Sequence, residues 1–86
     1  MITHDPKSNG YWGVRANANV YTFDGAPYIG PDVSWSASWG IGTAANPVVG
    51  IAADGQGGFA LLTDSGGPQP HIYNIPASGQ YATPKT

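Results

Sequence analysis

The chain has 86 residues, of which 9% are charged and 41% apolar, whereas an ordinary soluble domain carries about 25% charged residues. Its permanent cations are Lys7, Arg15 and Lys85 and its formal net charge is -2, so no basic stripe exists to neutralise phosphates and a nucleic-acid ligand is not expected. There is no cysteine, which removes disulfides and thiolate metal sites as staples, and no run reaches the ~20 apolar residues of a membrane helix.

A domain of this size buries only about 60 to 65% of its unfolded surface. Sparse charge with ordinary hydrophobicity then points to surface covered by other copies or partners. Met1–Pro6 has neither the cationic start nor the apolar run of a signal peptide. Synthesis in the cytoplasm without such a leader is the expectation.

Helix periodicity is interrupted everywhere by Gly (13) or Pro (8), and short Val, Ile, Tyr, Phe and Trp runs between turn residues read as an all-β chain. Strands are expected over Ile2–His4, Tyr11–Arg15, Val20–Phe23, Tyr28–Ile29, Val33–Trp39, Val48–Ala52, Phe59–Thr63, Ile72–Ile75 and Gln80–Ala82. Asp5–Gly10 and Asp54–Gly58 offer Gly or Asn for positive φ and read as turns. Ala16–Asn19 and Asp64–Pro70 read as hairpin connections. Phe59-Ala60-Leu61-Leu62 and Pro47–Ala53 are apolar at consecutive positions, the pattern of strands covered on both faces.

These elements say nearly the same thing twice. Gly10-Tyr11-Trp12-Gly13-Val14, a turn, Val20-Tyr21-Thr22-Phe23 and Pro27-Tyr28 are echoed by Gly58-Phe59-Ala60-Leu61-Leu62, a Gly-rich turn, His71-Ile72-Tyr73-Asn74-Ile75 and Gln80-Tyr81. The offset drifts from about 48 to about 53 residues, a period typical of units built from a few short strands. The chain reads as a single domain over 1–86, with one unit at 1–30, an insert at 31–46 and a second unit at 47–86. Within the insert Val33, Trp35, Ala37 and Trp39 alternate strictly with Ser34, Ser36 and Ser38, which places both tryptophans on one strand face.

Asp5-Pro6-Lys7 through Gly10-Tyr11-Trp12, Val20–Gly30 and Pro47-Val48-Val49-Gly50-Ile51-Ala52-Ala53 resemble a repeat of actinobacterial surface proteins and of minor tail proteins of phages infecting those bacteria. That unit runs roughly Pro-Val-Val-Gly-Ile-Ala-Ala, Asp-Gly-x-Gly-Tyr-Trp-Leu-Val, a Gly-rich turn and Val-Phe-Ser-Phe-Gly-Asp-Ala. Here Ala60 stands where the repeat favours Trp. The resemblance implies two blade-like antiparallel four-stranded units of a β-propeller. Closed propellers hold about four to eight blades, so a two-blade chain is expected to complete one by homo-oligomerisation. A trimer with six blades, the plan of some two-repeat lectins, is favoured.

Candidate chemistry is sparse. Asp64-Ser65-Gly66-Gly67-Pro68 resembles the nucleophile segment of chymotrypsin-like proteases, but a triad also needs an oriented His and a buried Asp, and the repeat demands a hairpin turn at that place. The acidic residues are all Asp (Asp5, Asp24, Asp32, Asp54 and Asp64) and sit in turn contexts rather than as an acid–base pair. His4 and His71 lack metal-ligand spacing. No catalysis, metal or cofactor is expected. Trp35 and Trp39 offer a platform for a sugar ring, with Arg15, Asp32, Asn17 and Asn19 as hydrogen-bonding partners, or alternatively fill an interface. Tyr11, Trp12, Phe23 and Phe59 are expected in the core. The expected role is a non-catalytic structural or binding component of a phage virion, a minor tail or capsid-surface protein contacting other virion proteins or host-surface glycan. The alternative is a stand-alone oligomeric lectin.

Overall fold

The computed structural model describes residues 1–30, 40–64, 71–78 and 84–85. Among these residues there is no helix, and the chain is all-β. Strands β1 (Ile2–His4), β2 (Tyr11–Val14) and β3 (Val20–Phe23) form one antiparallel meander, and β4 (Val48–Ala53), β5 (Phe59–Thr63) and β6 (Ile72–Ile75) form a second. The two-residue β7 (Pro84–Lys85) adds to the edge of β6. Tyr28–Ile29 is not a strand, so the first unit has three strands among the described residues rather than four. The reason is a tertiary contact: the Pro27 carbonyl turns in to accept the Trp12 indole N–H at 2.8 Å, which leaves Tyr28 exposed beyond it. The expected strands Val33–Trp39 and Gln80–Ala82 lie outside the described residues.

The repeat is real in the register of the ladders. Tyr11 pairs with His4 and Phe23, and Phe59 pairs with Ala53 and Ile75. This makes His4 equivalent to Ala53, Tyr11 to Phe59 and Phe23 to Ile75. The turns before β2 and β5 match as well. Asp5 N–H donates to the Gly10 carbonyl at 2.8 Å, and Asp54 N–H to the Gly58 carbonyl at 3.0 Å. Each aspartate side chain then accepts from the backbone two residues on, Lys7 N–H at 3.0 Å and Gln56 N–H at 2.7 Å, so each forms an Asx turn. In the longer first turn the Ser8 hydroxyl donates to the Asp5 carboxylate and accepts from Gly10 N–H, a link that Asp54 makes directly to Gly58 N–H. Gly10 and Gly58 are required by close approach: a Cβ on either would stand 2.4 Å from the carbonyl oxygen of Phe23 or Ile75.

The two meanders stack, with β4 against β1 and β2, and Ala53 N–H donates to the Thr3 hydroxyl across the join at 3.1 Å. Residues directly opposite in a ladder share a face, and faces alternate along each strand. The first sheet therefore turns Thr3, Trp12, Val14 and Val20 inward, and the second turns Ile51, Ala53, Phe59, Leu61, Tyr73 and Ile75 inward. Trp12, Val14, Phe59, Leu61, Tyr73 and Ile75 form the buried core, joined by Ala18, Ala26, Ile41 and Val48. Trp12 packs on Phe59 with ring centroids 5.0 Å apart and planes at 58°, a tilted arrangement favoured by the ring quadrupoles.

In repeat terms these are opposite faces. Trp12 corresponds to Ala60, which points outward, and Phe59 corresponds to Tyr11, which also points outward. The front of one unit thus packs on the back of the next. A bulge between Val48 and Gly50 lets β4 join this arrangement, because the inserted Val49 allows Val48 to turn inward while Gly50 turns outward.

Replacing Gly58 by Ala is expected to cost about 3 kcal/mol or more, since its obstacles include backbone atoms that cannot move aside. Asp5→Ala removes a fully enclosed carboxylate and its hydrogen bonds from Lys7 N–H and the Ser8 hydroxyl and should cost about 1.5 to 3 kcal/mol, whereas Ala in place of exposed Asp54 should cost no more than about 1 kcal/mol. Urea denaturation of the three variants measures this order.

Candidate interaction surfaces

Among the described residues, stacking uses one face of each sheet and leaves the other uncovered. On the first sheet the uncovered face carries Ile2, His4, Tyr11, Gly13, Tyr21 and Phe23. Ile2 is 65% exposed and Phe23 49%, although β-strand side chains of this type ordinarily gather in cores. Gly13 sits in the middle of this face and has no side chain to fill it. The result is a depression of about 430 Å³ bounded by Met1, Ile2, Val14, Arg15, Tyr21 and Phe23.

The uncovered face of the second sheet carries Gly50, Ala52, Ala60, Leu62, Ile72 and Asn74. It is built from small and aliphatic side chains, and Leu62 stands out from it at 46% exposure. A smaller hollow of about 280 Å³ lies beside it, between β4, β5 and Ile72. Contiguous apolar faces of this kind mark interaction sites when they occur on a soluble domain.

The expected core therefore divides. Trp12 and Phe59 are buried as expected, but Tyr11 and Phe23 are exposed. The physical reason is the front-to-back stacking, which gives equivalent positions of the two units opposite environments. Phe59 and Tyr11 share a place in the repeat, yet one lies inside the join and the other on a free face. Similarly, β5 and β4 are covered on one side only within a single chain, since Leu62 and Val49 are exposed.

Of the polar residues expected at a binding site, Arg15 lies at the rim of the first face, its guanidinium carbon 5.6 Å from the centre of the Tyr21 ring. Asn17 is occupied in the β2–β3 turn, where its side-chain oxygen accepts Asn19 N–H at 3.1 Å. That turn is pinned to the following segment, with Val48 N–H donating to the Ala16 carbonyl at 2.9 Å. Gly42 lies so close that a Cβ there would meet the Asn17 carbonyl oxygen at 2.3 Å. Asn17 and Asn19 thus shape the turn rather than the depression. Trp35, Trp39 and Asp32 lie outside the described residues.

The side chains of His4, Asp5 and Asp54 have local tasks. The His4 ring hydrogen-bonds the Asn9 side chain at 2.8 Å and packs on Tyr11 with centroids 5.1 Å apart. Asp5 and Asp54 hold turns, and Asp24 adopts a φ of 56° in the turn after β3. Strands β5 and β6 pair antiparallel, and Ser65 to Pro68 of the segment resembling a protease nucleophile lie between them, outside the described residues. The free faces themselves were hidden from sequence reasoning by the assumption that a repeated position keeps its environment. The signal that reveals them is the substitution pattern, Trp12 against Ala60 and Gly13 against Leu61.

No family model, curated protein or solved structure matches the chain.

Two residues at one repeat position give a direct check on the opposite environments. Phe59→Ala should destabilise the fold by about 3 to 5 kcal/mol. Tyr11→Ala should cost about 1 kcal/mol or less, the value of a cross-strand contact on a free sheet face. Thermal or urea unfolding distinguishes them, and equal losses would contradict the assignment of faces.

Proposed function

We propose that this chain is a non-catalytic structural and binding module whose two uncovered sheet faces are its working surfaces. The observation that carries this reading is the pair of apolar faces on opposite sides of one small body, one aromatic and one aliphatic. Side chains of that kind gain by leaving water, at roughly 25 cal/mol per Å². Each aspartate and histidine with a defined contact is spent on a turn or a neighbour.

The units act in this reading as blades of a β-propeller-like body completed by further copies, with a trimer of six blades favoured. Front-to-back stacking with the first strands of the two units adjacent is the relation that neighbouring blades have, and it supports the proposal. The resemblance to repeats of phage minor tail proteins gives the setting, a virion component at the tail or capsid surface. Contact there is with other virion proteins or with host-surface glycan.

A stand-alone lectin is the second reading, favoured by the Arg15–Tyr21 pair beside an aromatic depression. The two are separated by where the protein is found and what it holds. A virion component should co-sediment with particles released by lysis of the producing host, whether or not it gives a signal on a glycan array. Absence from particles, together with glycan binding lost in Trp39→Ala and Arg15→Ala, would overturn the virion reading in favour of the lectin.

A further inference from the structure

Among the described residues, each unit has a face that meets a neighbour inside the chain and a face that does not, and the two units have these roles reversed. The free face of the first sheet (Ile2, His4, Tyr11, Gly13, Tyr21, Phe23) occupies the repeat positions of the second sheet's buried face (Ile51, Ala53, Phe59, Leu61, Tyr73, Ile75). The free face of the second sheet (Ala52, Ala60, Leu62, Ile72, Asn74) likewise occupies the positions of the first sheet's buried face (Thr3, Trp12, Val14, Val20, Thr22). Both halves of the internal join are therefore present again, unpaired, on the outside.

We propose that copies of this chain associate head to tail, the aliphatic face of the second sheet of one copy seating on the aromatic face of the first sheet of the next, as the two sheets already pack within each chain. The inference rests on the binding-module reading and deepens it by naming the partner as a second copy and assigning the two faces to one another.

Side-chain sizes support that pairing. In the internal join a large residue, Trp12, faces Phe59, and Leu61 lies in the same cluster as Val14. At the outer faces the sizes are redistributed. Ala60 replaces Trp12 and makes room for Tyr11, while Gly13 replaces Leu61 and opens the depression of about 430 Å³. Leu62, at the place of Val14, projects from the opposite face and is the residue suited to fill that depression. Among the described residues Lys85 stands opposite Ile72 at the edge of the aliphatic face, and the aromatic face has Arg15 and the Met1 ammonium at its rim, so the charged groups lie at the margins of the contact.

Joining unlike faces is a heterologous contact, which either closes into a ring or runs on as a filament. It also removes both free faces at once, which a contact between like faces does not. Pairing two aromatic faces would leave each aliphatic face in water.

The test uses two variants, each blocked on one face. Tyr21→Glu places a carboxylate on the aromatic face, and Leu62→Glu does the same on the aliphatic face. Wild type should run on analytical ultracentrifugation as a multiple of 8.9 kDa, and each variant alone as the monomer. An equimolar mixture should give a discrete species of twice 8.9 kDa, because each variant retains the one face that the other lacks. Ile2→Glu provides a second block of the aromatic face should Tyr21→Glu not fold, with circular dichroism as the check.

A wild type that stays monomeric at millimolar concentration overturns head-to-tail association, while particle co-sedimentation or glycan binding would still stand. A single variant that dimerises by itself shows a like-face contact and overturns it too. So do two variants that both assemble like wild type.

Discussion

The contact between Trp12 and Phe59 sets the architecture. Each ring is almost wholly enclosed, each comes from the middle strand or its first residue in a three-strand meander, and together they hold two sheets that are each too thin to bury a face alone. The Trp12 indole N–H is satisfied by the Pro27 carbonyl, so its burial leaves no polar atom stranded. That same hydrogen bond bends the chain after β3 and ends the first meander. Because the two rings come from inequivalent repeat positions, the join has a direction, and every free surface follows from that direction.

A directional join has consequences that a symmetric one lacks. Had both units buried the same face, the chain would form a closed two-layer sandwich with two like outer surfaces. Stacking front on back instead leaves two unlike surfaces, each complementary in position to the other. The low charge of the chain is consistent with this: 9% charged residues leave few groups to solvate sheet faces, and those present cluster in turns such as Asp5, Lys7, Asp24 and Asp54. Burial by other chains is the physical role such faces can take.

Much of the fold was legible in the residues. Five of the strands, Ile2–His4, Val20–Phe23, Phe59–Thr63, Ile72–Ile75 and the start of Tyr11–Val14, coincide with the expected runs, because β-branched and aromatic residues between Gly and Asp turns carry a strong local signal. The matching turns at Asp5–Gly10 and Asp54–Gly58 were legible for the same reason, being short-range chemistry, while their Asx hydrogen bonds emerged from the structure. Tyr28–Ile29 was misleading, since two apolar residues after a proline look like a strand start, and only the tertiary bond from Trp12 shows that the backbone there is otherwise engaged. Tyr11 and Phe23 misled more instructively. Aromatic residues in strands predict burial by composition alone, and which face of a sheet is buried depends on how one unit meets another. That information is long-range. Arg15 was expected beside Trp35 and Trp39, which lie outside the described residues; the aromatic ring it meets among the described ones is Tyr21.

The relative orientation of the two sheets is the claim on which the remaining structure and the proposed association depend. Nuclear Overhauser contacts of the Trp12 indole ring measure it most directly, in dilute solution with the aromatic and methyl groups labelled. The account predicts contacts from Trp12 to the Phe59 ring, whose centroid lies 5.0 Å away, and none to the Leu62 methyl groups. Contacts from Trp12 to Leu62 with none to Phe59 would mean that like faces are joined, and would contradict it.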